Sequence, residues 1–384
     1  ISEVKKEHML YFDHSASTPI HPSVLKLLQE TELNHFGNPS SAHQFGQKSR
    51  LAIEIARKQM AEAIGCLSSE IIFTGGGTEA NNLVLWNLLH QQKKHVITSE
   101  IEHPSVLNVL KQLKEFGVTS TIIPVDHTCR VTPENIQNAI TENTGLISIM
   151  FANNEVGTVQ PIERIGKIAE QNGIPFHSDA VQILGKIPIN ISDQKITMVS
   201  FSAHKFYGPK GVGVLYLKKG TNPKSLIIGG GQETNLRAGT ENTSCIAGLG
   251  LASELANKNV AKRKTHLEQL ADQFKLAMMD TYPEIIYNGH PEHSLPGVIS
   301  ATFPAVTSNI LIIKLDLQGI GVSSGSACSS GSVNTSHVLR AMNMSNDHNI
   351  RTLRISFGRD NSKEDVQLLT EKISEILKQH HNKR

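Results

Sequence analysis

Lys205 and Asp179 are the residues of this chain whose types and positions point most directly to chemistry. The run Val199-Ser-Phe-Ser-Ala-His-Lys205 reads as a short apolar strand, and Gly208-Pro209 breaks the chain just beyond it. A lysine held at a strand end beside Ser202 and His204 is suited to form a Schiff base with an aldehyde while its neighbours hold a phosphate. Upstream, Ile174-Pro-Phe-His-Ser-Asp179 reads as a second strand that ends in a carboxylate. Such a carboxylate, buried, must meet a cation or take up a proton, and a pyridinium nitrogen is one such cation. Lysine for an aldehyde carbon and aspartate for a ring nitrogen are the two ends of a pyridoxal phosphate site.

Other positions extend that site. Gly75-Gly-Gly-Thr-Glu-Ala-Asn81 follows a predicted strand and opens a predicted helix, so its backbone N–H groups can approach an anion. Taken alone it is as well explained by a plain strand-to-helix turn, and no Gly-Lys-Ser/Thr follows to make it a nucleotide loop. His103 stands directly before Pro104 at a helix start, where an imidazole can stack on a flat ring and move a proton. Alone it is an ordinary helix start; Lys205 and Asp179 in the same chain change its weight. Asn154, in Phe151-Ala-Asn-Asn-Glu-Val-Gly-Thr158, follows a predicted strand at the edge where α/β sheets bind ligands. Its side chain suits a substrate carboxylate or a phenolic oxygen. Gln182 lies at the next such edge, and Arg354, in a strand-like run, suits a bidentate carboxylate clamp.

Cys328 decides the reaction. It sits in Gly321-Val-Ser-Ser-Gly-Ser-Ala-Cys-Ser-Ser-Gly-Ser332, among small polar residues rather than in an apolar pattern, and is expected to be an exposed, mobile thiol. Treated as flexible coil, the chain from 323 to 335 spans roughly 19 Å r.m.s., enough to carry a sulfur atom from a buried site to a surface acceptor.

The elements that must position these residues alternate. Helices are predicted over 44–64, 78–90, 104–116 and 161–171, and strands over 70–74, 120–125, 146–152, 174–177, 196–201 and 212–217. Strands separated by helices of this length imply crossover connections and a mainly parallel sheet. From Gly239 a long, increasingly charged helical stretch runs to about residue 280 and leads into a second unit. That unit has strands over 285–287, 298–303 and 353–357, and helices over 308–317 and 363–379.

The chain has 384 residues, 37 Lys and Arg against 35 Asp and Glu, and 39% hydrophobic residues. The length suggests two domains, and the near-neutral charge gives no field for nucleic acid or membrane binding. There is no apolar run long enough to span a bilayer, and no secretory signal is expected in the polar stretch 1–10. Four widely spaced cysteines, with no CxxC, fit free thiols and no resident metal. The expected compartment is the cytoplasm.

Taken in order, these motifs resemble those of NifS/IscS-type cysteine desulfurases, in the class V aminotransferase family of type I pyridoxal phosphate enzymes. They are Gly37-Asn-Pro-Ser-Ser-Ala-His43, Gly76-Gly-Thr-Glu79, Glu102-His103, Asn153-Asn-Glu-Val-Gly157, Asp179-Ala-Val-Gln182, Ser202-Ala-His-Lys205, Gly229-Gly-Gly-Gln-Glu233, Arg237-Ala-Gly-Thr240 and Ser326-Ala-Cys328. The resemblance runs from Tyr11-Phe-Asp13 to the C-terminal helix and implies an α/β fold, a mainly parallel sheet flanked by helices, with a smaller α+β domain. The large domain would span 14–257; 1–13 and 258–384 would form the small one, carrying the Cys328 loop at about 323–335. Lys205 would be the Schiff-base lysine and Asp179 the pyridinium partner. His103 would stack on the ring, and Gln182 would bond its phenolic oxygen. Gly77, Thr78, Ser202 and His204 would bind phosphate, and Thr240 would reach the phosphate of a second subunit, which implies a homodimer. Asn154 and Arg354 would hold the substrate carboxylate, and Cys328 would be the nucleophile.

The implied reaction converts L-cysteine to L-alanine and passes sulfur, as a Cys328 persulfide, to an acceptor protein: an iron–sulfur scaffold, a tRNA-thiolation carrier or a DNA phosphorothioation system. With a scaffold, Cys328 could also ligate an iron–sulfur cluster. The chain departs from the family's usual pattern at Ser17 and in the Ser-Ser-Gly-Ser that follows the cysteine. The rival enzymes are a selenocysteine lyase and an aminotransferase, which need Lys205 and Asp179 but no mobile thiol. A catalytically silent scaffold would need none of these positions filled.

Overall fold

The structure, a computed structural model, describes residues 9–325 and 335–381; Cys328 lies outside the described residues. In chain order the strands are β1 (Leu10–Tyr11), β2 (Ile71–Thr74), β3 (His95–Ser99), β4 (Thr119–Ile123), β5 (Thr144–Ser148), β6 (Phe176–Asp179), β7 (Met198–Ser202), β8 (Gly213–Leu217), β9 (Ile286–Asn288), β10 (Val298–Thr302), β11 (Ile320–Gly321) and β12 (Thr352–Ser356). The first four α-helices are α1 (Pro22–Asn34), α2 (Gln44–Ile64), α3 (Gly77–Trp86) and α4 (Pro104–Leu113).

Seven strands form the main sheet in the order β2-β8-β7-β6-β5-β3-β4. The expected parallel pairing holds from β7 through β6, β5 and β3 to β4, whereas β8 runs antiparallel to both β7 and β2. Side chains alternate across this sheet, and both faces are apolar. Ile71, Phe73, Ile97, Ile147, Val199 and Val214 enter one core; Ile72, Val96, Leu146, Met198 and Leu215 enter the other. A sheet covered on both faces is the usual setting for parallel strands.

A third apolar cluster joins Leu10 and Phe12 to residues from Leu267 to Leu377, around the antiparallel sheet β12-β10-β9. Leu295, Val338, Leu339 and Met342 pack instead into the core of the main sheet. The start of the described chain is stitched to its end: β1 pairs with β11, and Asp13 bridges to Ser356.

Several bounds differ from the sequence reading. β6 begins after Pro175, which has no N–H to give the ladder, and β4 stops before Pro124. β3 and α1 are additions; α1 buries only Val24 and Thr31, too few for a visible apolar stripe. The long stretch after Gly239 is two helices, Thr243–Lys258 and Val260–Thr281, divided at Asn259.

Candidate active site

Lys205 lies in a short turn, Ala203–Lys205, at the C-terminal end of β7. Its Nζ donates to the carbonyls of Ser15 at 2.6 Å and Ala16 at 2.8 Å. The segment supplying those carbonyls is pinned from the lysine's own side. Thr18 donates its N–H and its hydroxyl to the His204 carbonyl, both at 2.9 Å, and accepts from the Tyr207 N–H at 2.8 Å.

Asp179 closes the neighbouring strand β6 and is buried. Its Oδ2 accepts from Asn81 Nδ2 at 2.7 Å and its Oδ1 from the Val181 N–H at 3.1 Å. Asn81, on α3, also donates to Ser105 Oγ at 2.9 Å, which ties Asp179 to the start of α4. Each carboxylate oxygen keeps a lone pair for a further donor. His177, on the same face of β6, bonds Ser148 Oγ at 2.8 Å and Ser200 Oγ at 3.0 Å, and burial pushes its pKa down to about 4. It is a neutral cross-strand tie beneath Asp179.

His103 caps α4, its Nδ1 accepting from the Ser105 N–H at 3.1 Å. A backbone N–H can only donate, so a neutral His103 carries its proton on Nε2 and presents a donor there. Burial lowers its pKa; Asp179 opposes that shift, while Lys205 and His337 add to it.

The anion-binding end is built by the turn from β2 into α3. Gly76 has φ 153°, outside the range side chains favour, and a Cβ on Gly77 would lie 2.7 Å from Val181 Cγ2. Glycine lets this turn pack against the end of β6 and leaves the first-turn N–H groups of α3 without intrahelical acceptors. Gly75, Gly76, Gly77, Thr78, Ser202 and His204 line one cavity of about 690 Å³, and Lys210 adds a cation to it. His204 is pushed down to about pKa 4 by burial, then by Lys205 and Lys210.

Arg354, on β12, is 3% exposed. Its Nη2 pairs with Asp13 Oδ1 at 2.7 Å and its Nη1 donates to the Asn154 carbonyl at 3.0 Å, while the buried Nε has no partner among the described residues. Gln182 donates from Nε2 to the Ser15 carbonyl at 2.9 Å and accepts at Oε1 from Lys186 Nζ at 2.8 Å.

These contacts bring Lys205 and Gln182 together at Ser15, Asp179 and His103 together through Asn81 and Ser105, and Asn154 beside Arg354. Gly77, Thr78, Ser202 and His204 share the cavity. Thr240 does not join them: it is exposed, just past the turn at Gly239 with φ 103°. Sequence reasoning gave no role to Asp13, the Ser15 and Ala16 carbonyls, Asn81, Ser105 or Lys186. The polar run from Asp13 to Thr18 after a short strand was the available signal for the first three.

An aldehyde-binding amine, a buried carboxylate with spare lone pairs, a glycine cradle for phosphate and an arginine with a free N–H suit pyridoxal phosphate carrying an amino acid. Known proteins agree with that chemistry. The chain is 43% identical to cysteine desulfurase IscS of Dictyoglomus turgidum over 96% of this chain and 94% of that protein. It is 42% identical to the protein of that name from Methanosarcina thermophila, over 97% and 93%. A NifS-like protein superposes with a TM-score of 0.91 at 37% identity, covering 96% of this chain and 99% of the other. A solved structure of SspA in complex with cysteine gives 0.79 at 37% identity, covering 91% and 98%. Residues 10–369 match the model of the class V aminotransferases, enzymes that use pyridoxal phosphate, and this chain belongs to that family.

Proposed function

We propose that this protein is a pyridoxal-phosphate-dependent cysteine desulfurase, which converts L-cysteine to L-alanine and takes up the sulfur on Cys328. The observation that carries the reading is the convergence of Lys205 and Asp179 at adjacent strand ends, in a chain whose relatives bear that name. When bound, pyridoxal phosphate supplies an electron sink that weakens the Cα–H and Cβ–S bonds of the substrate.

The chain's own residues divide the remaining work. Lys205 Nζ binds the cofactor's aldehyde and, once released from it, takes and returns the Cα proton. Asp179, oriented by Asn81, holds the ring nitrogen in its protonated form. His103 covers the ring and offers its Nε2–H; Gln182 donates to the phenolic oxygen. The phosphate goes to Gly77, Thr78, Ser202 and His204, and Thr240 completes that set from a second chain. Arg354 Nε, with Asn154, takes the substrate carboxylate, and Asp13 keeps the guanidinium in place. The cations Lys186, Lys205 and Arg354 favour a thiolate over a thiol where Cys328 meets the substrate.

In the transfer, the Cys328 thiolate attacks the substrate sulfur. An S–S bond forms as the Cβ–S bond breaks, giving a Cys328 persulfide and, after proton return, L-alanine. Cysteine and one enzyme thiol thus become alanine and one persulfide, with no outside oxidant.

The division into a large unit of 14–257 and a small unit of 1–13 and 258–384 belongs to the same reading, supported by the separate apolar cluster of the small unit. So does the homodimer. An iron–sulfur scaffold or another sulfur-acceptor protein would receive the persulfide, and the compartment would be cytoplasmic. Among the described residues Cys66, Cys129 and Cys245 are free thiols, and no helix is long and apolar enough to cross a membrane.

Peptide mass spectrometry after brief mixing with L-cysteine, without reductant, tests the reaction. One added sulfur on the Cys328 peptide, with alanine released, is the expected result. A cofactor-loaded protein whose Cys328 stays unmodified turns the reading to a selenocysteine lyase or an aminotransferase.

A further inference from the structure

Lys186 lies in the turn after β6, four residues beyond Gln182, and is only 8% exposed. The charges that act on it are cations: Lys205 after β7, Arg354 on β12 and Arg263 on the helix Val260–Thr281. His14, on the N-terminal segment, is lowered to about pKa 4 by burial and then by Lys186. Burial first, and those three cations after it, push Lys186 down to about 7. A buried ammonium whose acceptor is a neutral amide destabilises the fold, and such groups concentrate where chemistry needs them.

The hydrogen bonds indicate the use. Lys186 Nζ donates at 2.8 Å to Oε1 of the Gln182 amide, and in its ammonium form, which has donors only, it can bond no other atom of that amide. The amide nitrogen then faces the other way. One of its hydrogens goes to the Ser15 carbonyl at 2.9 Å, the carbonyl that also accepts from Lys205 Nζ at 2.6 Å. The second hydrogen has no acceptor among the described residues.

We propose that Lys186 is a positioning residue: it fixes the Gln182 amide so that an N–H, and not the carbonyl, meets the cofactor's phenolic oxygen, and it sets a cation beside that oxygen. This rests on the pyridoxal phosphate reading above. Removing Lys186 leaves the Ser15 carbonyl alone to orient the amide and makes the more anionic, deprotonated form of the cofactor linkage at Lys205 harder to reach.

The test is a pH titration of the visible absorption band of the cofactor-loaded protein, with thermal melting of the cofactor-free protein as a second readout. In Lys186→Met the band's midpoint should rise by roughly one unit, a tenfold change in proton affinity. Lys186→Arg, which keeps a donor-only cation, should stay within a few tenths of the parent. Cofactor-free Lys186→Met should melt no lower than the parent, since an unpaired buried charge is gone. Lys186→Gln carries the charge part of the same test should the Met variant not accumulate in folded form.

An unchanged midpoint in Lys186→Met overturns the proposal, as does an equal shift in the Met and Arg variants, which would mark packing damage. A parent that develops no visible band with pyridoxal phosphate, or a Lys205→Ala variant that keeps the parent's band, would instead sink the cofactor reading itself.

Discussion

Glu102, next to His103, shows how far one buried side chain can shift the balance of charge at this site. Its Oε1 accepts from Ser99 Oγ at 2.6 Å and from the Met150 N–H at 2.8 Å, and its Oε2 has no partner among the described residues. Burial pushes its pKa up to about 8; Ser99 and Met150 oppose the shift and Asp179 adds to it. At neutral pH the folded protein therefore keeps a proton that the unfolded chain, near 4.5, has released. The folded state binds more protons across that window, so this group's contribution to stability falls as pH rises from 4.5 to 8. Glu102→Gln keeps the shape and cannot titrate. Calorimetry should show its Tm gaining on the parent's as pH rises through that window; parallel Tm curves would show that Glu102 is ionised in the fold. Glu102-His103 stood out in the sequence as a motif, but the protonation state did not. It depends on the carboxyl being buried against Ser99 at the end of β3 and Met150 just past β5, a distant segment that no neighbour in the chain reveals.

At the scale of elements, the segment that leads to Thr240 is held by two ion pairs, Glu233 with Arg57 and Arg237 with Glu79 of α3. Glu233 joins Arg57 of α2 through two bonds, 2.7 and 2.9 Å long, and accepts from the Phe73 N–H of β2 at 2.8 Å. Arg57 also donates to the Ile71 carbonyl at 2.7 Å and lies 4.7 Å from the Phe73 ring centroid. These bonds hold Glu233, Thr234 and Asn235 at φ values of 46°, 57° and 65°, left-handed backbone that non-glycine residues seldom adopt. Glu233→Ala leaves the buried Arg57 with only the exposed Glu54, 3.3 Å from its Nε, and releases a strained turn, and should cost about 3 kcal/mol, the low end for a broken buried pair. Urea denaturation of the parent and the variant measures it; a loss under about 1 kcal/mol, the worth of an exposed pair, would place the ion pair in solvent. Glu155 ties two other elements: its carboxylate accepts from Ser336 Oγ at 2.5 Å and lies against Gly325. It thus joins the two described ends of the chain on either side of Cys328. The motif Gly229-Gly-Gly-Gln-Glu233 was legible, but its left-handed turn was not, because Thr and Asn carry no local signal for three successive positive φ angles.

For the whole molecule, the proposed homodimer predicts what the surface of the single chain should offer. Phe36 and Phe45 are 71% and 53% exposed with ring centroids 5.3 Å apart, and Leu33, Leu51 and Ile55 are exposed on α1 and α2. Exposed apolar residues so close together suit a covered surface. Analytical ultracentrifugation should find two chains per particle. The double variant Phe36→Glu and Phe45→Glu should shift the protein to single chains and weaken pyridoxal phosphate retention, because Thr240 would no longer reach a second phosphate set. A parent that sediments as one chain, yet retains cofactor and turns over L-cysteine, would remove both the dimer and the proposed role of Thr240.

The sequence by itself determined the alternation of strands and helices, the strand ends at Lys205 and Asp179, the glycine turn before α3 and the family. Each depends on local pattern: apolar period, proline and glycine placement, and ordered motifs. Only the tertiary structure decided that β8 runs against its neighbours, since strand direction follows from pairing between distant segments. It alone joined Arg354 to Asp13, 341 positions apart, and placed the Ser15 carbonyl between Lys205 and Gln182. Lys186 is the sharpest case. In the sequence it is one lysine among many, and its burial, its amide acceptor and its surrounding cations exist only once β6, β7, β12 and the helix Val260–Thr281 have closed around it.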